Sequence, residues 1–275
     1  MLRPIGVFDS GVGGLTVLRE LMRVLPREST VYLGDNARLP YGGQPVETIR
    51  RYTLECLDHL YRRGVKALVI ACNSATTAAL EAAQERYDVP VVGVVEATAR
   101  TAARLARSRV GVMATPATVR GGIYARTVME CNPSLEVLQQ PCPRLASLVE
   151  AGELTSNRTR KVLAGYLSPL LEKGIDCLVL GCTHYGYLRP IIEELAGPDV
   201  GLVECAPPTV ASLQKTFDEG ALERSSAASP SHRLCTTGTA EAFGRAASAL
   251  WPGALPEIEE VTVEVDHGTV RRETA

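Results

Sequence analysis

Two short stretches place a cysteine where it could move a proton: Cys72-Asn73-Ser74-Ala75 and Cys182-Thr183-His184. Each follows an apolar run that reads as a buried strand, and each opens a turn into a stretch of helical periodicity. A cysteine near a helix N-terminus has its thiolate favoured by the dipole and by free N–H groups. One such cysteine would read as an inert buried thiol, the usual state of this residue type. Two in matching contexts point to a shared role. A single thiol would suggest a nucleophile with a histidine partner. Two can form a disulfide, bind a metal, or act as acid and base on opposite faces of one atom. A metal would draw on Cys72, Cys182, His184 and Asp9, a set without supporting ligand spacing. A disulfide is disfavoured in a reducing compartment. The acid–base reading fits inversion at a carbon centre, where one thiolate removes a proton and the opposite thiol delivers one.

Other residues could complete such a site. Asp9-Ser10-Gly11-Val12-Gly13-Gly14 follows a strand and opens a helix, so it reads as a tight turn or as N–H groups offered to an anion. It matches neither the dinucleotide fingerprint nor the P-loop. An acid at the C-terminal end of a strand, as Asp9 is, faces the crevice of an open α/β sheet. Tyr41-Gly42-Gly43 ends a polar loop that lies over the site or is a plain turn. Thr115-Pro116-Ala117-Thr118 offers hydroxyls to a carboxylate, or caps a helix at Thr118. Glu150, after Cys142-Pro143, orients a catalytic group or lies on a solvated helix. His59, His232 and His267 read as structural or surface residues.

These residues need rigid elements to hold them. Apolar runs at 5–8, 30–33, 67–71, 91–95, 110–113, 135–138, 177–180 and 202–204 read as strands covered on both faces. Between them, 15–25, 46–63, 75–87, 97–106, 118–129, 157–172 and 188–195 read as helices. The alternation predicts parallel α/β sheets. The segment 63–72 aligns with 173–182, 5–8 aligns with 110–113, and the strands ending at Glu96 and Glu204 also correspond. We therefore expect two similar domains, each a mainly parallel sheet flanked by helices, related by a pseudo-twofold axis with the site between them. Residues 1–97 plus 207–275 form the first and 98–206 the second. Within the returning segment, 207–223 and 240–250 read as helices, 224–232 as a loop, 234–237 as a strand, and the residues after His267 as a frayed tail.

The chain has 275 residues, 45% hydrophobic and 22% charged, which excludes disordered and fibrous classes. A net charge of −2 leaves no basic excess for nucleic acid as the main partner. No apolar run is long enough to span a membrane. The opening residues lack a signal-peptide pattern, so a cytoplasmic protein with reduced thiols is expected. The eight cysteines include no CxxC pair. Pyridoxal phosphate would need a lysine Schiff base. Lys66 and Lys173 precede strands, and Lys161 and Lys215 lie in amphipathic helices, so none is well placed. We expect neither cofactor nor metal.

The motifs together resemble the glutamate racemases: DSGVGGLTV at 9–17, LPYG at 39–42, ACNSAT at 71–76, CP…LVEAGE at 142–153 and GCTHYG at 181–186. The resemblance spans residues 1–250 in the family's order. It implies a cofactor-independent racemase that supplies D-glutamate for peptidoglycan. It also implies that Cys72 takes the proton from D-glutamate and Cys182 from L-glutamate. By the same resemblance Asp9, Ser10, Tyr41, Gly42, Asn73, Ser74, Thr183 and His184 contact substrate, Asp9 and His184 assist the cysteines, and Glu150 supports His184. The sequence departs from the family's usual pattern at Ser74, Gly186, Ala114 and Gly121, and the last two changes bear on Thr115 and Thr118 as substrate-binding hydroxyls. Aspartate or hydantoin racemases share the two-cysteine plan, and a ligand-binding or redox-sensing protein is the reading from another class. A homodimer is the assembly considered.

Overall fold

The structure is a computed structural model, and it describes residues 3–219 and 229–263. The first elements are β1 (Ile5–Asp9), α1 (Leu15–Val24), β2 (Thr30–Gly34), α2 (Val46–Arg62), β3 (Ala67–Ile70), α3 (Asn73–Arg86), β4 (Val91–Gly93) and α4 (Val94–Leu105). There follow β5 (Arg109–Ala114), α5 (Pro116–Gly121), α6 (Ile123–Cys131), β6 (Glu136–Pro141), α7 (Leu145–Glu150), α8 (Asn157–Glu172), β7 (Cys177–Gly181), α9 (Arg189–Ala196) and β8 (Gly201–Val203). The chain then runs through α10 (Ala206–Asp218), β9 (His232–Thr236), α11 (Ala240–Ser248) and β10 (Ile258–Glu260).

Two parallel sheets result. One has the order β10-β9-β2-β1-β3-β4 and the other β6-β5-β7-β8. The second order repeats the run β2-β1-β3-β4 of the first, with β5 in the place of β1 and β7 in that of β3. The registers repeat too: Ile5 pairs with Ala67, and their counterparts Val110 and Cys177 pair with each other.

The strands alternate their burial as the pleat requires. Ile5, Val7, Tyr32, Ala67 and Val69 point into a core that continues through α1, α4 and α10 into the second sheet. Phe8, Val31, Leu33, Leu68 and Ile70 point the other way, into a core with residues of α2 and α3. Full burial of each such side chain stabilises the fold by about 2 kcal/mol. Strands that are apolar on both faces in this way are a property of helix-covered parallel sheets.

Several expected boundaries move. The strand expected over 91–95 stops at Gly93, and Glu96 lies in α4. Val92 pairs with Val69 as Val203 pairs with Val179, so the counterparts are set by the ladder and not by the two glutamates. Glycine suits position 93, where the strand gives way to α4, because a Cβ there would meet Thr76 Cγ2 at 2.4 Å. The helix expected over 118–129 is two helices, broken at Gly122, whose φ of 64° is a left-handed conformation that suits glycine. The division expected at 97/98 falls inside α4, which packs on α6, β7 and β8. β9 and β10 extend the first sheet beside β2. The end of the helix expected over 207–223, most of the loop expected over 224–232, His267 and the tail lie outside the described residues. No helix among the described residues is long and apolar enough to cross a membrane.

Candidate active site

Parallel strands deliver their C-terminal ends, and the turns that follow, to one edge of each sheet. Asp9 ends β1, Cys72 follows β3, Thr115 follows β5, Cys142 follows β6 and Cys182 follows β7. The turns of both sheets line one cavity. Its walls include Ser10, Tyr41, Gly42, Cys72, Asn73 and Ser74 from the first sheet's turns. Thr115, Cys142, Cys182, Thr183 and His184 come from the second. Both proposed thiols therefore reach the same space, and each is at least nine-tenths buried.

The two thiols have different surroundings. Cys72 is the N-cap residue of α3, and its sulfur donates to Ser10 Oγ at 3.6 Å. Burial, with the Asp9 carboxylate adding to it, pushes this thiol up to about 12. Cys72 is thus a proton carrier at neutral pH. Cys182 lies at the start of a 3-10 turn, Thr183–Leu188, and its sulfur is 3.6 Å from His184 Nδ1. His184 Nε2 is 2.7 Å from Glu150 Oε1. Burial alone would lower the pKa of His184. The Cys182 sulfur and the Glu150 carboxylate on its two nitrogens outweigh that and hold it well above the usual imidazole range.

The glycine-rich turn after β1 does bind anions, but they are the chain's own carboxylates. Gly11 N–H donates to Asp9 Oδ1 at 2.9 Å, and Val12 N–H donates to Glu150 Oε1 at 3.3 Å. Thr183 Oγ1 donates to Asp9 Oδ2 at 3.1 Å. Glu150 lies at the C-terminal end of α7 and reaches from there to both His184 and the α1 turn. Burial raises the Asp9 pKa above the usual carboxylate range, opposed first by His184.

Thr115, not Thr118, caps the helix: its Oγ1 accepts from Thr118 N–H at 3.3 Å. The Pro116 that follows sits at the first helical position, where a missing N–H costs nothing. Thr118 lies inside α5, fully buried, and Ser74 Oγ approaches Thr115 Oγ1 at 2.8 Å and Thr118 Oγ1 at 3.4 Å. The three hydroxyls form one cluster spanning the two sheets. Gly42 O accepts from Ala117 N–H at 2.9 Å, which closes the 39–43 loop against α5. A Cβ on Gly42 would meet Thr115 Cβ at 2.8 Å, so the close approach suits glycine.

Two expected contacts have other partners. The Tyr41 hydroxyl donates to Asp35, and Tyr41 lines the cavity beside Gly42. Arg38 Nε at 2.7 Å and Thr237 Oγ1 at 2.6 Å hold the same carboxylate. Asn73 accepts from Tyr124 OH at 2.7 Å and donates to Cys205 Sγ at 3.4 Å. Asp35, Thr237, Tyr124 and Cys205 were not singled out by spacing. Cys205 does follow β8 as Cys182 follows β7, and that repetition is the one sequence signal for it. Away from the site, His59 accepts from Arg63 and His232 pairs with Thr30, which is structural bonding. Among the described residues no three His, Cys, Asp or Glu side chains are grouped to hold one metal ion.

Two sheets of one strand order, each sending a thiol from the turn after its third strand-equivalent into a common cavity, define a two-thiol α/β protein. The chain belongs to the Asp/Glu/Hydantoin racemase family, whose pattern matches residues 5–213. It is 42% identical over 265 residues to a glutamate racemase of Geobacter metallireducens, covering 96% of this chain and 98% of that one. Among solved structures it is similar to the glutamate racemase of Bacillus anthracis, with a TM-score of 0.92, 36% identity and coverage of 96% and 99%. It is also similar to the Francisella tularensis glutamate racemase in complex with D-glutamate, with a TM-score of 0.88, 33% identity and coverage of 95% and 98%.

Proposed function

We propose that this protein is an isomerase that interconverts L- and D-glutamate by two-base proton transfer and needs no cofactor. Its place would be the cytoplasm, and its product the D-glutamate of peptidoglycan. The observation that carries the reading is the meeting of Cys72 and Cys182 in one cavity, from equivalent turns of two repeated sheets. A substrate between the sheets would meet one thiol on each face of its α-carbon. In the L-to-D direction a Cys182 thiolate takes the α-proton while the Cys72 thiol delivers one to the opposite face; the D-to-L direction reverses the roles. An ordinary thiolate is a weak base for such a proton, so the barrier must fall through desolvation and fixed donors. The buried turns supply both. The first-turn N–H groups of α3 and the hydroxyls of Ser10, Ser74 and Thr115 are the donors at hand. We assign the two sheets with their helices to two domains, with β9 and β10 completing the first.

The test is circular dichroism of L-glutamate, D-glutamate and L-aspartate incubated with the purified protein after dialysis against EDTA. Glutamate should lose its signal from either enantiomer. Loss of the aspartate signal alone would move the reading to an aspartate racemase, and no loss would point to a binding protein. In D₂O, product should carry deuterium at the α-carbon while unreacted substrate gains much less. Equal early labelling of both would mean that one exchangeable base serves both faces.

A further inference from the structure

Asn73 lines the substrate cavity, yet both polar ends of its amide are bound to the other half of the molecule. Tyr124 OH donates to Asn73 Oδ1 at 2.7 Å, and Asn73 Nδ2 donates to Cys205 Sγ at 3.4 Å. The Cys205 thiol in turn donates to the Leu180 carbonyl at 3.1 Å. Tyr124 OH also lies 3.6 Å from Cys205 Sγ, so phenol, amide and thiol close a ring of contacts. Asn73 opens α3 beside the first sheet, whereas Tyr124 lies in α6, Leu180 in β7 and Cys205 in the turn after β8. All four residues are at least nine-tenths buried. Tyr124 and Cys205 lie outside the set of residues that line the cavity.

The two ends of this path are neighbours of the two thiols. Asn73 directly follows Cys72, the N-cap residue of α3. Leu180 lies in β7, two residues before Cys182. Hydrogen bonds thus join the helix that starts at Cys72 to the strand that leads into Cys182. Bonds this deeply buried are strong, because a polar atom that leaves its partner finds no solvent to replace it. The bonds from Asp9 to Thr183 and from Ser74 to Thr115 also join the halves, but they share no residue with this path. A two-base reaction needs both sulfurs within reach of one carbon, so the alignment of the two turns bears directly on its rate.

We propose that Tyr124 and Cys205 are positioning residues for racemisation, holding Asn73, and with it the Cys72 turn, in alignment with the Cys182 turn. This rests on the two-thiol reading above. Neither residue touches substrate or the reacting carbon. Tyr124 supplies the donor that fixes the amide oxygen. Cys205 supplies an acceptor to Asn73 and a donor to Leu180, so its task is polar and a replacement must do both. Serine does both. Valine fills a similar volume and does neither.

The experiment is steady-state racemisation of both enantiomers, in water and in D₂O, by the full-length Tyr124→Phe, Cys205→Val and Cys205→Ser variants. We expect Tyr124→Phe and Cys205→Val to lower kcat severalfold in both directions, with kcat carrying most of the loss, and Cys205→Ser to stay close to wild type. In D₂O the two impaired variants should label unreacted substrate more heavily, relative to product, than wild type does. A substrate deprotonated at one thiol then waits longer for a proton from the other, and its first base has time to exchange with solvent. Should Tyr124→Phe fail to fold, the two Cys205 variants carry the test. A packing role would spare Cys205→Val more than Cys205→Ser and would lower both labels in proportion; either result overturns the proposal. A loss confined to KM would make the network a substrate-binding device and overturn it too, as would wild-type kinetics in Tyr124→Phe. An inactive wild-type protein would overturn this proposal together with the two-thiol reading, whereas an active wild type with unaffected variants overturns the positioning role alone.

Discussion

Thr183 Oγ1 donates to Asp9 Oδ2 across 3.1 Å and so ties the turn after β7 of one sheet to the end of β1 in the other. The two residues flank the two thiols: Thr183 directly follows Cys182, and the Asp9 charge acts on Cys72. That bond joins the halves together with those between Ser74 and Thr115 and between Val12 and Glu150, and it holds the carboxylate whose charge acts on Cys72. With Gly11 N–H on its other oxygen, Asp9 is held on both sides while fully buried.

Cys72→Ser and Cys182→Ser should each abolish racemisation in both directions, by about 10²–10⁴-fold or more for loss of a positioned acid or base. Stability should change little, because oxygen and sulfur are close in size and neither thiol bridges the sheets. Coupled assay of both enantiomers, with thermal melting alongside, checks both halves of the expectation. Near-normal activity in either variant would defeat the two-thiol mechanism.

Gly13→Ala should raise KM and lower kcat without abolishing folding. A Cβ at Gly13 would lie 2.5 Å from both His184 Nδ1 and Thr183 Oγ1. The strain falls on the pair that serves Cys182 and on the contact that joins the sheets. Displacing such groups by a fraction of an ångström can cost on the order of 10²-fold in rate. A variant with wild-type kinetics would show that the second sheet shifts freely to accommodate the methyl group.

Asp9→Asn should alter the pH dependence of stability in a defined direction. The Asp9 pKa is raised in the folded protein above its ordinary 3.8. Its contribution is therefore fully present below pH 3.8 and is lost as pH rises through the raised folded value. Asparagine cannot ionise, so the variant should lose less stability than wild type on going from pH 4 towards neutrality. Melting curves of both proteins over that range give the comparison. Identical slopes would mean that Asp9 ionises as it does in the unfolded chain.

Glu150→Gln should shift the basic limb of the kcat/KM profile to lower pH by about one unit, the usual reach of a neighbouring charge. The amide keeps an oxygen near Val12 N–H and His184 but removes the charge that helps to hold the His184 proton. The same linkage bears on stability. The raised pKa of His184 stabilises the fold fully below pH 6.5, and that contribution is lost as pH rises through the folded value. The variant should lose it at a lower pH than wild type. An unmoved basic limb would assign that limb to another group.

The strands and the positions of both thiols were legible because they rest on local patterns. Apolar runs of three to five residues, each followed by a small polar turn, identify a parallel sheet, and repetition of the pattern places Cys72 and Cys182 alike. The break at Gly122 was not legible, since α5 and α6 together keep an unbroken helical period and only the backbone conformation divides them. Glu96 misled because the run through Gly93 is apolar on either side of the turn. Of the candidate site, Asp9, Glu150, Thr183 and His184 were read in sequence, but the contacts among them span up to 174 positions, from Thr183 to Asp9, and no local pattern encodes them. The partners of Tyr41 and Asn73 were hidden for the same reason: Thr237 and Cys205 come from segments that return late in the chain.

The chain crosses between the sheets twice, out through α4 and back through α10, and these two helices pack side by side. A body held by two adjacent tethers behaves like a cover bound to a spine. It can tilt about the line that the tethers share, but it cannot slide or twist past its neighbour without prising the helices apart. Of the rigid-body freedoms two unlinked halves would have, this leaves a single easy one. The Asp9–Thr183 and Gly42–Ala117 bonds then act as clasps on one hinge, and any tilt that widens the cavity must strain both.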